Sequence, residues 1–173
     1  MLDTARQPLR STIEVRLQTH GASDAALLAV LDDVLSHLGC ATGTIHDLDP
    51  GSGLLRYRAG RGIPDGLLDR VRAIPVGKGM AGLAALRRQP VQVCNLQGDT
   101  SGCAQPGARE TKMEGSIAVP ILAAGQLRGV LGVAKPVAYE FTETETALLL
   151  DLAAAIGHFL GRQGAGANPE TAP

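Results

Sequence analysis

The side chains most able to do chemistry here are three thiols, a basic pair in a polar loop, and one histidine in an apolar run. Cys40, Cys94 and Cys103 are odd in number and show no CxxC or Cys/His zinc spacing, so no metal and no other cofactor is expected. Cys94 and Cys103 flank part of a polar, glycine-rich stretch, where one thiol could attack and the other resolve, as thiol redox chemistry requires. An inert, exposed Cys103 is the plainer alternative, and nothing in the sequence implies a lowered thiol pKa. Cys40 follows a helix and opens a strand, the position of a small core hydrophobe.

Arg109 and Lys112 flank Glu110 within residues 95–114, with the hydroxyls of Thr100 and Ser101 upstream. An arginine fork beside a lysine can clamp a carboxylate or another oxyanion, although the same residues also make an ordinary solvated loop. His46 lies in a strand with its side chain opposite that of Ile45, either reaching a pocket or satisfied in place. Gly77-Lys78-Gly79 precedes a helix, where adjacent backbone N–H groups suit anions. It lacks the GxxxxGK[ST] form of a phosphate loop, so a structural turn is the stronger reading. No Ser/His/Asp set and no carboxylate pair stands out, and the chain is expected not to be an enzyme.

The elements that must hold these residues follow from pattern. Leu9, Ile13 and Leu17 stripe a polar N-terminal segment, residues 1–20, that is helical or extended, with Pro8 at or before a helix start. Ser23 or Asp24 caps a helix whose apolar face runs from Leu27 to Leu38, and Gly39 suits the left-handed position that ends it. Residues 40–47 and 54–59 form a hairpin about Asp49-Pro50-Gly51-Ser52-Gly53. Pro64 opens a short helical piece, residues 80–88 form another, and residues 91–94 form a strand. Residues 95–114 form a long loop, which inside a compact domain is usually functional. Residues 116–122 and 127–134 make a second hairpin, and Thr142 with Glu145 forms a capping box for a helix of roughly 30 Å. That helix is apolar on more than one face, which predicts a homodimer through the terminal helices unless the N-terminal stripe covers it. Residues 163–173 hold no core residues and read as a disordered tail.

Composition narrows the functions. The 173 residues are one domain's worth of chain, and 45% hydrophobic content builds a real core. Aromatics are only 2%, with no Trp, so the core is aliphatic and few rings exist to stack on nucleobases or flat cofactors. A net charge of −1 gives no field for nucleic acid or anionic lipid, so neither is an expected partner. Neither a leader nor a membrane-spanning run is visible, and a cytoplasmic location is expected.

Four segments give the chain a family likeness: VLSHLGCATGTIHDLDPGSGLLRYRAGRGIP, IPVGKGMAGLAALRRQPVQVCNL, SIAVPILAAGQLRGVLGVAKP and FTETETALLLDLAAAIGHFL. Over residues 23–161 the sequence resembles the GAF family, ligand-sensing modules of bacterial regulators. The resemblance implies an α+β fold, a GAF/PAS-like α/β/α sandwich occupying residues 21–162. Its central antiparallel sheet has about 5–6 strands, with the terminal helices on one face and the short helices and long loop on the other. It implies a sensory module that binds a small anionic or carboxylate metabolite, such as 2-oxoglutarate or nitrate, and signals to a regulatory protein partner. On that reading Arg109, Lys112, His46, Cys94, Thr100, Ser101 and Cys103 are the candidate ligand-binding residues. Asn95 and Asp99 do not complete the motif of the cyclic-nucleotide-binding members. An enzymatic branch of the fold reduces free methionine-R-sulfoxide with cysteines, one right after the G-x-G turn. Here Met80 stands there, Val71 and Ala73 stand where another is placed, and Cys103 matches only loosely. A thiol redox sensor or reductase using Cys94 and Cys103, and a purely structural dimerisation module, are the alternatives.

Overall fold

The computed structural model describes residues 6–164. In chain order the elements are α1 (Arg6–His20), α2 (Asp24–Leu38), β1 (Thr42–Asp49), β2 (Leu54–Arg61), α3 (Asp65–Val71), β3 (Ala73–Pro75), α4 (Gly79–Arg87), β4 (Val91–Val93), α5 (Pro106–Glu110), β5 (Gly115–Ala123), β6 (Gln126–Lys135) and α6 (Glu143–Gly164). One antiparallel sheet runs in the order β3-β2-β1-β6-β5-β4. The expected α+β sandwich is the fold observed.

Local signals account for most boundaries. Ser23 accepts the N–H of Ala26 and starts α2, while Gly39 at φ 62° ends it. Thr142 and Glu145 exchange the reciprocal bonds of a capping box at the head of α6. The β5–β6 hairpin closes on Ala124 and Gly125, both at positive φ, the mirror-image turn that matches strand twist.

Three features depart from the sequence pattern. Ala73–Pro75 pairs with β2 as a sixth strand, too short and too proline-limited to announce itself. Five residues of the expected loop coil into α5, with Pro106 at its first turn. Pro8 stands inside α1 rather than at its start. Gln163 and Gly164 still belong to α6, and the rest of the anticipated tail lies outside the described residues.

The sheet has two different faces. On one, Ile45, Ile117, Val119, Ile121, Leu131 and Val133 pack with α2 and α6 into a large aliphatic core. Ile13 and Leu17 of α1, 0% and 1% exposed, complete it. Of the apolar surplus of α6 that suggested a dimer, Leu149, Ala153, Ile156 and Leu160 are buried within one chain, and Leu150 is partly buried against the same core. The other face carries a smaller cluster of Leu55, Ala84, Ala85, Val91, Ala118 and Val130 beneath α4. No described helix is long and apolar enough to cross a membrane.

Candidate functional site

Beside the smaller cluster the sheet is not covered, and a cavity of about 600 Å³ opens there. Its floor follows from strand alternation and register. Thr42 and Thr44 of β1 face it, and opposite them across the ladder stand Ala134 and Gly132 of β6, then Ser116 and Ala118 of β5. The next row along the strands carries His46 and Val130, large enough to meet the covering helices. Space exists because these six floor residues are small. An ideal Cβ on Gly132 would make ordinary contacts only, with Thr44 Oγ1 at 3.6 Å and the Ile117 carbonyl oxygen at 3.9 Å.

The walls come from α3 (Leu67, Arg70, Val71), β3 (Ala73, Ile74, Pro75), the start of α4 (Lys78 to Ala81), Leu96, and residues 105–108 with Thr111. Gly82 lets α4 sit close to β3, since a Cβ there would lie 2.5 Å from the Pro75 carbonyl oxygen. The Gly77-Lys78-Gly79 turn needs positive φ at both glycines, 93° and 64°, and delivers the chain into α4. The first bond of that helix runs from Gly82 N–H to Lys78 O, and no side chain caps it. The N–H groups of Gly79, Met80 and Ala81 thus find no acceptor among the described residues, and all three residues line the cavity. Among the described residues, no acidic, aromatic, histidine or cysteine side chain lines it. Of its two cations, Arg70 donates to Glu110 at 2.8 Å, whereas Lys78 makes no ion pair among the described residues.

The residues expected to bind ligand are placed elsewhere, and none lines the cavity. Arg109 donates to the Asp99 carbonyl at 2.7 Å and takes a Gln97 contact on its own carbonyl, so it folds the 95–114 segment on itself. Lys112 is an exposed turn residue at φ 59°. Ser101 bonds the Asp99 carboxylate, which also accepts the Ala104 N–H, and Thr100 is exposed beside them. These bonds hold the Asp99 carboxyl below its usual range, the Ser101 hydroxyl foremost. Cys103 is half-buried against the smaller cluster and Cys94 is exposed at the end of β4. Cys40 packs against the large core, and burial pushes its thiol up to about 11.

His46 faces away from Ile45, as the alternation implies, but it lies beneath α3 at 1% exposure. Its Nε2 sits 2.7 Å from the Val71 carbonyl, which can only accept, so the proton is on Nε2 and Nδ1 is left without a partner. Burial pulls its pKa below the ordinary histidine value, partly offset by the Val71 bond. It supports the wall from behind.

The floor residues carry no functional signature of their own, because they are small and plain. Their signal is the run of small side chains at every second position: Thr42 and Thr44, Ser116 and Ala118, Gly132 and Ala134.

A six-stranded antiparallel sheet sealed by long helices on one face and hollowed under short ones on the other defines the sensor-type α+β sandwich. A family model described as GAF domain matches residues 22–160, and the chain belongs to that family. No curated protein matches it in sequence. Solved structures of similar fold include the GAF domain of an Acinetobacter phosphoenolpyruvate-protein phosphotransferase, with TM-score 0.81 and 18% identity over 96% of this chain and 99% of that one. The corresponding domain from Coxiella burnetii gives 0.79 and 19%, over 92% and 95%. A free methionine-R-sulfoxide reductase of Neisseria meningitidis, solved with its substrate, gives 0.71 and 19%, over 95% and 92%. At these identities the likeness is one of fold.

Proposed function

We propose that this GAF domain is a sensory module that binds a small anionic or carboxylate metabolite in the cavity and passes its occupancy to a regulatory partner protein, without chemistry on the ligand. The observation that carries the reading is the cavity itself: about 600 Å³, the size of a small-molecule site, with unbonded helix amides and Lys78 on a wall that has no acidic side chain among the described residues. The positive end of α4 and the lysine both favour a negative group. The cysteine-based alternative has less support, since the three thiols lie outside the wall and Met80 occupies the position after the G-x-G turn. Binding reaches the surface through residues 105–111, which form wall on one side and exposed segment on the other.

Native mass spectrometry of protein taken from cells tests this by looking for a retained small molecule. Thermal shift with 2-oxoglutarate, other keto acids, nitrate, nitrite and nucleotides extends it, because a ligand that prefers the native state raises the melting temperature. A retained or stabilising anion is expected. NADPH-coupled turnover of free methionine sulfoxide with thioredoxin would overturn the non-catalytic reading.

A further inference from the structure

The cavity's chemistry narrows its occupant further, on the footing that it is the ligand site. We infer that it takes an aliphatic monocarboxylate of medium chain length, the carboxylate at the head of α4 and the chain over the small-residue floor. The polar demand is local. Gly79, Met80 and Ala81 present N–H groups without acceptors, and Lys78 adjoins them without a counter-ion among the described residues. A second observation independent of the helix is Thr42, which lines the cavity at 6% exposure and whose hydroxyl makes no hydrogen bond among the described residues.

Away from these groups the wall is mainly apolar, with Leu67, Val71, Ile74, Leu96 and Ala118, and the uncharged Thr44, Gln105, Thr111 and Ser116 are interspersed among them. A second carboxylate over that surface would have Arg70 as its one charged partner, and would have to draw it away from Glu110. This disfavours dianions. A bare inorganic oxyanion would leave most of the apolar volume unfilled, and a cation would meet Lys78 and the positive end of α4 with no acid to offset them. A neutral chain would leave the amides and lysine desolvated without an acceptor.

The test uses the full chain and isothermal titration with octanoate, octanamide, octylamine, suberate and nitrate. Octanoate is expected to bind at least tenfold more tightly than each of the others. Gly132→Val, whose Cβ meets Thr44 and the Ile117 carbonyl at no less than 3.6 Å, is expected to abolish octanoate binding while the protein keeps its fold by circular dichroism. Lys78→Ala is expected to weaken it by about tenfold, and Arg61→Ala, on a residue bonded to Asp32 outside the cavity, to leave it unchanged. Octanoate binding that persists in Gly132→Val places the ligand elsewhere and overturns the inference. Tighter binding of suberate or nitrate, lost in Gly132→Val, also overturns it while leaving the sensory reading intact. Absence of octanoate binding overturns it too, and a retained ligand of other chemistry in the native mass spectrum then decides the broader reading separately.

Discussion

The two faces of the sheet are built from the same strands and reach opposite ends. Toward α2 and α6 the strands present mostly branched aliphatics, and the interface is closed, with Ile45, Val119 and Ile121 at 0% exposure. Toward α3 and α5 the alternating positions hold threonine, serine, alanine and glycine, and a cavity remains. Side-chain volume, set residue by residue, decides which face stores stability and which stores space. The closed face gains packing contacts throughout; the open face forgoes them and exposes polar groups that a ligand can satisfy.

The largest effect that would sharpen this contrast lies on the closed face. Leu152 of α6 is fully buried in the large core, and Leu152→Ala should lose about 2–5 kcal/mol in denaturant unfolding, the cost of lost burial plus the void left behind. A loss under about 1 kcal/mol would mean that this face is not close-packed.

Next in size come two glycines of the same strand, three residues apart and opposite in expected sign. A Cβ on Gly129 would fall 2.0 Å from the His46 carbonyl oxygen, so Gly129→Ala should force β6 from β1 and cost about 1–3 kcal/mol. Gly132 faces the cavity with open room, so Gly132→Val should stabilise by about 0.5–1 kcal/mol, because glycine is a poor strand residue. Urea midpoints that moved the same way in both variants would break the comparison.

A smaller effect is a pH dependence at His46. Its folded pKa lies below the unfolded value, so between the two the unfolded chain binds more protons and stability rises with pH. The contribution is complete above the ordinary histidine pKa of about 6.5 and is lost as pH falls from there through the lowered folded value. Asp47 beside it on β1, held above its usual range chiefly by burial, titrates in the acid region as well. The difference between the native protein and His46→Gln therefore isolates the histidine. Equal slopes of unfolding free energy from pH 7.5 to 5.5 in the two proteins would dismiss it.

The closed face was legible in the sequence because burial writes a strong period: Leu27 to Leu38 at helical spacing, the apolar strands 116–122 and 127–134, and capping residues at Ser23, Gly39 and Thr142. The open face was not. A cavity is marked by the absence of large side chains, and small residues in a strand look like weak strand formers rather than a floor. The charged and thiol groups at 94–112 are conspicuous in sequence, and in the fold Asp99, Gln97 and Arg109 bond within that segment. Lys78 was noticed, but a lone G-x-G turn cannot reveal that its helix amides face a void. The cover over α6 likewise turned on α1, whose thin stripe left open whether it or a second chain would meet that surface.

The smallest effect concerns what holds the open face shut. Between α3 and α5 the polar tie is Arg70 to Glu110, with both side chains more than half exposed at 63% and 53%. Exposed pairs are worth about 0–1 kcal/mol and are screened by salt, so Glu110→Gln should barely move global unfolding. Its effect should be local instead. Segment 96–114 contributes one fully buried large side chain, Leu96, so its opening free energy must lie well below that of β5 and β6. Hydrogen exchange should therefore find the amides of α5 exchanging much faster than those of β5 in the native protein. Glu110→Gln should accelerate α5 alone, and added salt should accelerate α5 in the native protein but not in the variant. Uniform protection across α5 and β5 would show that the cavity's outer wall is as firmly built as the core behind it.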